Sequence, residues 1–212
     1  MTTRQPTPVA PRRRRRATAP ALLLASALLG AGCGLLRGPA TTPTTFYVLS
    51  SSAEAGQVPQ GRPLTIGLGP IALPPYLNRP EMVRRVAPNE LVFDEFNRWS
   101  EPLKENFTRA LGSDLQQLME IDNLVAFPWY STTKMDYAIE VSVMRFEQQP
   151  DGEVVLDARF SIRNAQGAPY LNREAHHSSP AASPPEIAAA MSSLTGALAH
   201  DIALALRQLD AR

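Results

Sequence analysis

Three histidines, one cysteine and one adjacent acidic pair are the residues of this 212-residue chain whose types could do chemistry. His176 and His177 would make a metal clamp only if they converged. Neighbouring residues on a strand point to opposite faces, and no second ligand pair accompanies them, so they read as a solvated strand end. His200 beside Asp201 falls near the polar side of a helix and reads as a surface histidine. Asp94 and Glu95 are adjacent in a strand and diverge, which is poor geometry for an acid–base couple. Gly67-x-Gly69 is a fragment of a dinucleotide fingerprint, but Pro70 stands where the helix would have to begin. Gly-x-Ser-x-Gly, a phosphate loop and His-Glu-x-x-His are all missing. The expectation is a protein that is not an enzyme. An envelope hydrolase would need a nucleophile that no residue nominates. With a single cysteine, an intrachain disulfide and any multi-cysteine zinc or iron–sulfur site are excluded.

That cysteine, Cys33, is placed for a different reaction. Arg12 through Arg16 are followed by a short apolar stretch from Ala21 to Leu29, then by Gly30-Ala31-Gly32 and Cys33. A cationic start, a short apolar middle and small residues before the cleavage point describe a secretory signal peptide. Its end resembles a bacterial lipobox, although Gly30 stands where an apolar residue is usual. In such a sequence the cysteine sulfur takes a diacylglyceryl thioether, palmitate-type chains being usual, and the freed amino group takes an N-acyl chain. Residues 1–32 are therefore expected to be removed, with Cys33 carrying lipid and no other cofactor. The residue after the cysteine is Gly34 rather than an acid, which favours an outer-membrane anchor facing the periplasm. A twin-arginine export signal fits less well, because Arg15-Arg16 lacks the apolar pair that follows in such signals. Residues 33–44, rich in Gly, Pro and Thr without periodicity, read as a tether.

Charge follows the same division. The chain holds 21 Lys+Arg against 20 Asp+Glu, but residues 1–32 contain six arginines and no acid. The remainder therefore carries 15 cations against 20 acids, a net of −5. An acidic body lacks the cationic footprint that nucleic acid requires. No apolar run reaches the ~20 residues of a spanning helix.

The elements that must carry any site follow from pattern. Strands are expected at 45–49, 64–69, 82–86 and 90–96, the second from the alternation of Leu64, Ile66 and Leu68. A helix follows, with Ser100 as its N-cap and Pro102 in its first turn. Its apolar stripe is Leu103, Phe107, Leu111, Leu115, Leu118 and Met119, with Arg109 and Asp114 off the stripe. Further strands are expected at 124–129, 136–147, 153–164 and 170–177. The turn Gln149-Pro150-Asp151-Gly152 joins two of them in a hairpin. Ser183-Pro184-Pro185-Glu186 fits a capping box opening a last helix, whose stripe runs from Ile187 to Leu209. The predicted fold is α/β (α+β), a mostly antiparallel mixed sheet with two long helices on one face. Both stripes are used up in covering the sheet, so no lipid pocket of several hundred cubic ångströms is expected.

Two passages are more specific than a fold requires. One runs from Ile66-Gly67-Leu68-Gly69-Pro70 through Leu73-Pro74-Pro75-Tyr76-Leu77-Asn78-Arg79-Pro80. The other is Asn97-Arg98-Trp99-Ser100-Glu101-Pro102-Leu103. With Phe46-Tyr47-Val48-Leu49 and the lipobox-like start, residues 45–212 resemble the ABC-transport auxiliary lipoproteins of the PqiC/YmbA type. The resemblance implies a partner of an MCE-type lipid-transport system, outer-membrane attachment through the lipid anchor and assembly into a homo-oligomeric ring. Tyr76, Leu77, Asn78, Arg79, Asn97, Arg98 and Trp99 are the expected partner or oligomer interface. A structural envelope-assembly or secretion-system lipoprotein is the alternative.

Overall fold

The computed structural model describes residues 42–211 apart from 57, 131 and 165–168. The signal peptide at 1–32, Cys33 and all but the end of the 33–44 tether lie outside the described residues. The order of elements is that read from the sequence. Strands β1 (Thr45–Tyr47), β2 (Leu64–Ala72), β3 (Glu81–Ala87) and β4 (Glu90–Trp99) precede helix α1 (Leu103–Leu118). Strands β5 (Ile121–Ala126), β6 (Tyr137–Gln148), β7 (Glu153–Asn164) and β8 (Pro169–Pro180) precede helix α2 (Pro184–Asp210). Residues from Pro43 onward form one compact unit.

All eight strands join one sheet along the path β1-β4-β3-β6-β2-β5, with β7 and then β8 added beside β6. The three hairpin ladders β3–β4, β6–β7 and β7–β8 are antiparallel and carry most of the paired residues. The crossover pairings β1–β4, β2–β5, β2–β6 and β3–β6 are parallel. The parallel neighbours are strands separated by long stretches of chain, whereas the two-residue turn at 88–89 and the four-residue turn at 149–152 fold a strand straight back.

Burial alternates as a half-wet sheet requires. Ile139, Val141 and Val143 on β6 lie opposite Ile162, Phe160 and Ala158 on β7, and all six are buried. The reverse face carries Glu140 paired with Arg163, Arg145 with Asp157, and Arg159 with Glu174. Helix α1 packs on β2 and β5, α2 packs on β6, β7 and β8, and the helices pack on each other. Phe107 meets Phe146 edge-on at 5.4 Å. Helix α2 is long and apolar enough by composition to cross a membrane, yet two thirds of its most apolar stretch is buried here. Glu186 reaches back to accept from the N–H groups of Ala182 and Ser183, as the capping box predicts.

Helix α1 starts differently from expectation. Ser100 does not cap it; Pro102 occupies the N-cap position and Asn106 N–H donates to its carbonyl. A residue preceding proline is kept out of helical geometry, so Glu101 cannot join and the helix begins at Leu103. Strand β5 also sits three residues earlier than predicted, because Pro128 cannot donate to a ladder and the Phe127–Trp129 cluster lies beyond it.

The larger correction concerns Asp114, which falls off the apolar stripe in sequence and is fully buried in the fold. After β1 the chain crosses the two helices as a polar strap rather than a strand. Asp114 Oδ1 accepts from Ser51 Oγ at 2.6 Å, Ser52 N–H at 2.7 Å and Ala53 N–H at 2.8 Å. Asn106 Oδ1 accepts from Leu49 N–H, Arg109 donates to the Leu49 carbonyl, and Ser192 Oγ accepts from Ser50 N–H. Buried backbone donors must be satisfied, and here side chains of both helices do it. Gly196 lets the strap approach, since a Cβ there would collide with Ser52 Oγ.

At the opposite end Arg62 pairs with Asp136 at 3.1 Å and Asp210 at 2.9 Å, tying β2 to the last turn of α2. Burial pushes the Asp136 carboxyl up, but the Thr65 N–H and Arg62 outweigh it and hold the group below the ordinary carboxylate range.

Two outcomes follow from these contacts. Asp114→Ala removes three charge-assisted hydrogen bonds and orphans two backbone N–H groups, so it should cost about 3 kcal/mol in denaturant unfolding. It should also expose residues 50–56 to protease cleavage. A depressed carboxylate contributes stability that is present above its unfolded pKa and lost as pH falls through the folded value. Stability should therefore fall below about pH 4, and Asp136→Asn should flatten that acid limb in unfolding curves taken across pH.

Candidate functional site

The two specific passages, separated by some twenty residues of sequence, meet at one place. Strand β2 ends beyond a register shift at Gly69, whose φ of +120° and closeness to Phe127 Cβ both require glycine. The chain then makes a short 3-10 turn, Pro75–Leu77, and enters β3. The second passage is the end of β4. Trp99 N–H donates to the Pro80 carbonyl at 2.7 Å, joining the two directly. Glu81 joins them again through its two oxygens, one on Arg79 Nε at 2.9 Å and one on Arg98 at 3.2 Å. The Arg79 hydrogen bond, with smaller help from Arg98, holds the Glu81 carboxyl below its ordinary value. The Arg79 guanidinium lies 3.5 Å over the ring of Phe93.

The seven predicted interface residues divide into two sets. Leu77 and Trp99 are corrected: both are buried in the core of the subunit and present no surface. Parallel pairing of β1 with β4 sets Trp99 beside Tyr47, and the 3-10 turn folds Leu77 inward. Tyr76 is half-buried and its hydroxyl donates to Glu147 Oε2 at 2.9 Å. Glu147 is fully buried, also accepts from Arg85 Nε at 3.1 Å, and has its backbone neighbour Phe146 N–H on the same oxygen as Tyr76. Burial first, then the Glu147 charge, pushes the Tyr76 phenol up to about 12, so it remains a donor at physiological pH. Asn97 Oδ1 accepts from Tyr47 at 3.0 Å. Asn78 is exposed, and Arg79 and Arg98 each leave 36% of the side chain in solvent.

Strand β4 distorts where it carries these groups. Four residue steps of β4, from Asp94 to Arg98, span one step of β3, and Asp94 Oδ1 closes the bulge by accepting from Phe96 and Asn97 N–H. The bulge turns Phe96 outward. Sequence reasoning missed this set of exposed apolar groups and the buried Glu147. The run Val92-Phe93…Phe96 is the only signal for the first, and nothing local marks the second.

His176 and His177 diverge as expected, one to Asp157 and the other to Asp201. Among the described residues no group of three or more His, Cys, Asp or Glu side chains gathers to hold a metal. A cleft of about 510 Å³ opens between α1 and β5, lined by Leu68, Gly112, Leu124 and Phe127 together with Lys104 and Gln116. The expectation concerned an apolar lipid pocket; this open cleft shares its lining between Leu68, Leu124 and Phe127 and the polar Lys104, Glu105 and Arg109. Gly112 lets α1 pack closely on the sheet beside it, since a Cβ there would lie 2.9 Å from Leu124 Cδ2.

Residues 47–203 match the family model described as ABC-type transport auxiliary lipoprotein component. No match to the sequence is found among curated proteins. Two crystal structures share the fold. One is protein XCC0632 from Xanthomonas campestris, of the family DUF330. It has a TM-score of 0.69 and 13% identity, over 80% of this chain and all of that one. The other, of an uncharacterized protein, has a TM-score of 0.62 and 18% identity, over 77% of this chain and 99% of that one.

The Tyr76–Glu147–Arg85 cluster generates a test of whether Tyr76 shapes the subunit. Tyr76→Phe should cost about 1–2 kcal/mol in stability, whereas Glu147→Ala, which strands Arg85, should cost about 3–5 kcal/mol. Both are read by denaturant unfolding of the purified protein.

Proposed function

The chain belongs to the family of ABC-type transport auxiliary lipoprotein components, and on that premise we propose that it is the envelope-anchored docking subunit of an intermembrane lipid transporter. Residues 1–32 direct export, Cys33 carries the diacylglyceryl and N-acyl chains, and residues 33–44 tether the domain to the outer membrane on its periplasmic side. The transporter is of the MCE type, an MCE-domain protein is the direct partner, and the docking subunit works as a homo-oligomeric ring without catalysis. The observation that carries this reading is the family match across nearly all of the compact unit that begins at Pro43. Two or three acyl chains give the firm attachment that a single chain does not. The role is positional: the domain holds the transport path against the membrane. Its docking surface is the outward part of the joined passages, Asn78, Arg79 and Arg98 with Asn97 beside them.

Two measurements test the reading. Cys33→Ala should move the protein from the membrane fraction to the soluble periplasmic fraction; unchanged partitioning would show that the anchor is elsewhere. Affinity purification of the tethered protein from solubilised membranes should bring down an MCE-domain protein. Recovery of the ring alone, or with a secretion complex, would replace the transport role with a structural one.

A further inference from the structure

We propose that the β1 end of the sheet is a membrane-contacting surface, on which Phe46, Val48 and Phe96 enter the headgroup layer of the bilayer holding Cys33, with Arg79 and Arg98 at the rim. The proposal rests on the lipid-anchor reading above and concerns the apolar groups beside the docking surface, not the partner that surface takes.

The first argument is the distribution of exposed apolar groups. Nine large apolar side chains are exposed among the described residues, and six of them belong to one end of the sheet: Phe46, Val48, Val86, Val92, Phe93 and Phe96. They lie on or directly beside β1, β4 and β3, which are consecutive neighbours. Phe46 is 61% exposed and is set opposite Arg98 in the β1–β4 register. A soluble surface rarely gathers exposed apolar groups in this way without something to cover them.

The second argument is where the tether ends. Cys33 and Thr45 are twelve residues apart. That length spans about 40 Å when fully extended, and about 20 Å as a flexible chain. Phe46 is the residue immediately after the first of β1, so the exposed cluster is the part of the domain nearest the anchor along the chain. Strand β5 lies toward the other end of β6, because β2, which carries β5, pairs with Tyr137–Ser142 of β6, whereas β3, which leads to β4 and β1, pairs with Gln148.

The third argument concerns what drives the contact. Arg79 and Arg98 are outnumbered by Glu81, Asp94 and Glu95 in the same cluster, so charge does not draw this surface to anionic lipid. Burial of phenyl groups at the boundary does. Both guanidinium groups already share the Glu81 carboxylate. The Arg79 guanidinium carbon lies 3.5 Å over the Phe93 ring while its Nε donates to Glu81. A patch of aromatic groups bordered by arginine suits the headgroup level of a bilayer.

The test uses the acylated mature chain in phosphatidylcholine nanodiscs. Cys33 is the only cysteine, so once it is acylated an introduced cysteine is the sole free thiol. Phe46→Cys, Phe96→Cys and, as the distant control, Asp122→Cys on β5 are labelled with an environment-sensitive fluorophore. The expected result is a blue shift and quenching by nitroxide-bearing lipid at 46 and 96, and neither at 122. Neither signal should change between low and high salt. Labels at 46 and 96 as aqueous as the one at 122 overturn the proposal. So do labels that are blue-shifted but unquenched by the lipid nitroxide, since these face another copy or a protein partner. A reactive Cys33 thiol in the parent chain overturns the anchor reading and this proposal with it. Acylated parent protein with aqueous labels overturns the proposal alone.

Discussion

A single carboxylate with no exposed surface, Asp114, decides how the N-terminal end of the domain is joined to its core. Burying a charge without partners is prohibitive, and Asp114 is stabilised only because the strap that follows β1 supplies three donors to one of its oxygens. The dependence is mutual. Residues 50–53 have no strand beside them, so their N–H groups would be orphaned over the helices without Asp114 and Ser192. Helix spacing, the glycine at 196 and the path from β1 to β2 are all conditions of that one arrangement.

Local chemistry was legible from sequence where cause and effect lie within a few residues. The capping box at Ser183–Glu186, the turn at 149–152, the alternation in β7 and the stripe of α2 involve only near neighbours, and all take the form expected of them. The element order follows for the same reason. What could not be read were the groups whose partners lie far along the chain. Asp114 bonds residues more than sixty positions away, and Glu147 bonds Tyr76 and Arg85 across similar distances. A helical wheel assigns such polar residues to solvent because it has no knowledge of what will cross above them. The cap at Ser100 failed for a subtler reason, a steric veto from Pro102 on the residue before it.

The motif residues divide along the same line. Tyr76, Leu77 and Trp99 stood out in sequence because they are aromatic or apolar among prolines, and the fold spends them on holding loop and strand together. Glu81 did not stand out at all, yet it is the group that makes Arg79 and Arg98 neighbours. A recurrent sequence signature can therefore encode the scaffold of a surface while the surface itself is formed by less conspicuous residues such as Phe46 and Phe96.

The parallel pairing of β1 with β4 has a mechanical side. Any tension arriving from residue 44 enters the domain at Thr45, where it meets three residues laddered to Asn97, Arg98 and Trp99 before it can reach the strap. The Ser100 N–H on the Tyr47 carbonyl and the Tyr47 hydroxyl on Asn97 stand in the same line. A pull on residue 44 is thus taken up at the sheet edge by several bonds in concert. The helices behind the strap, and the core they enclose, are shielded from it as a building is by a buffer at the end of its rail.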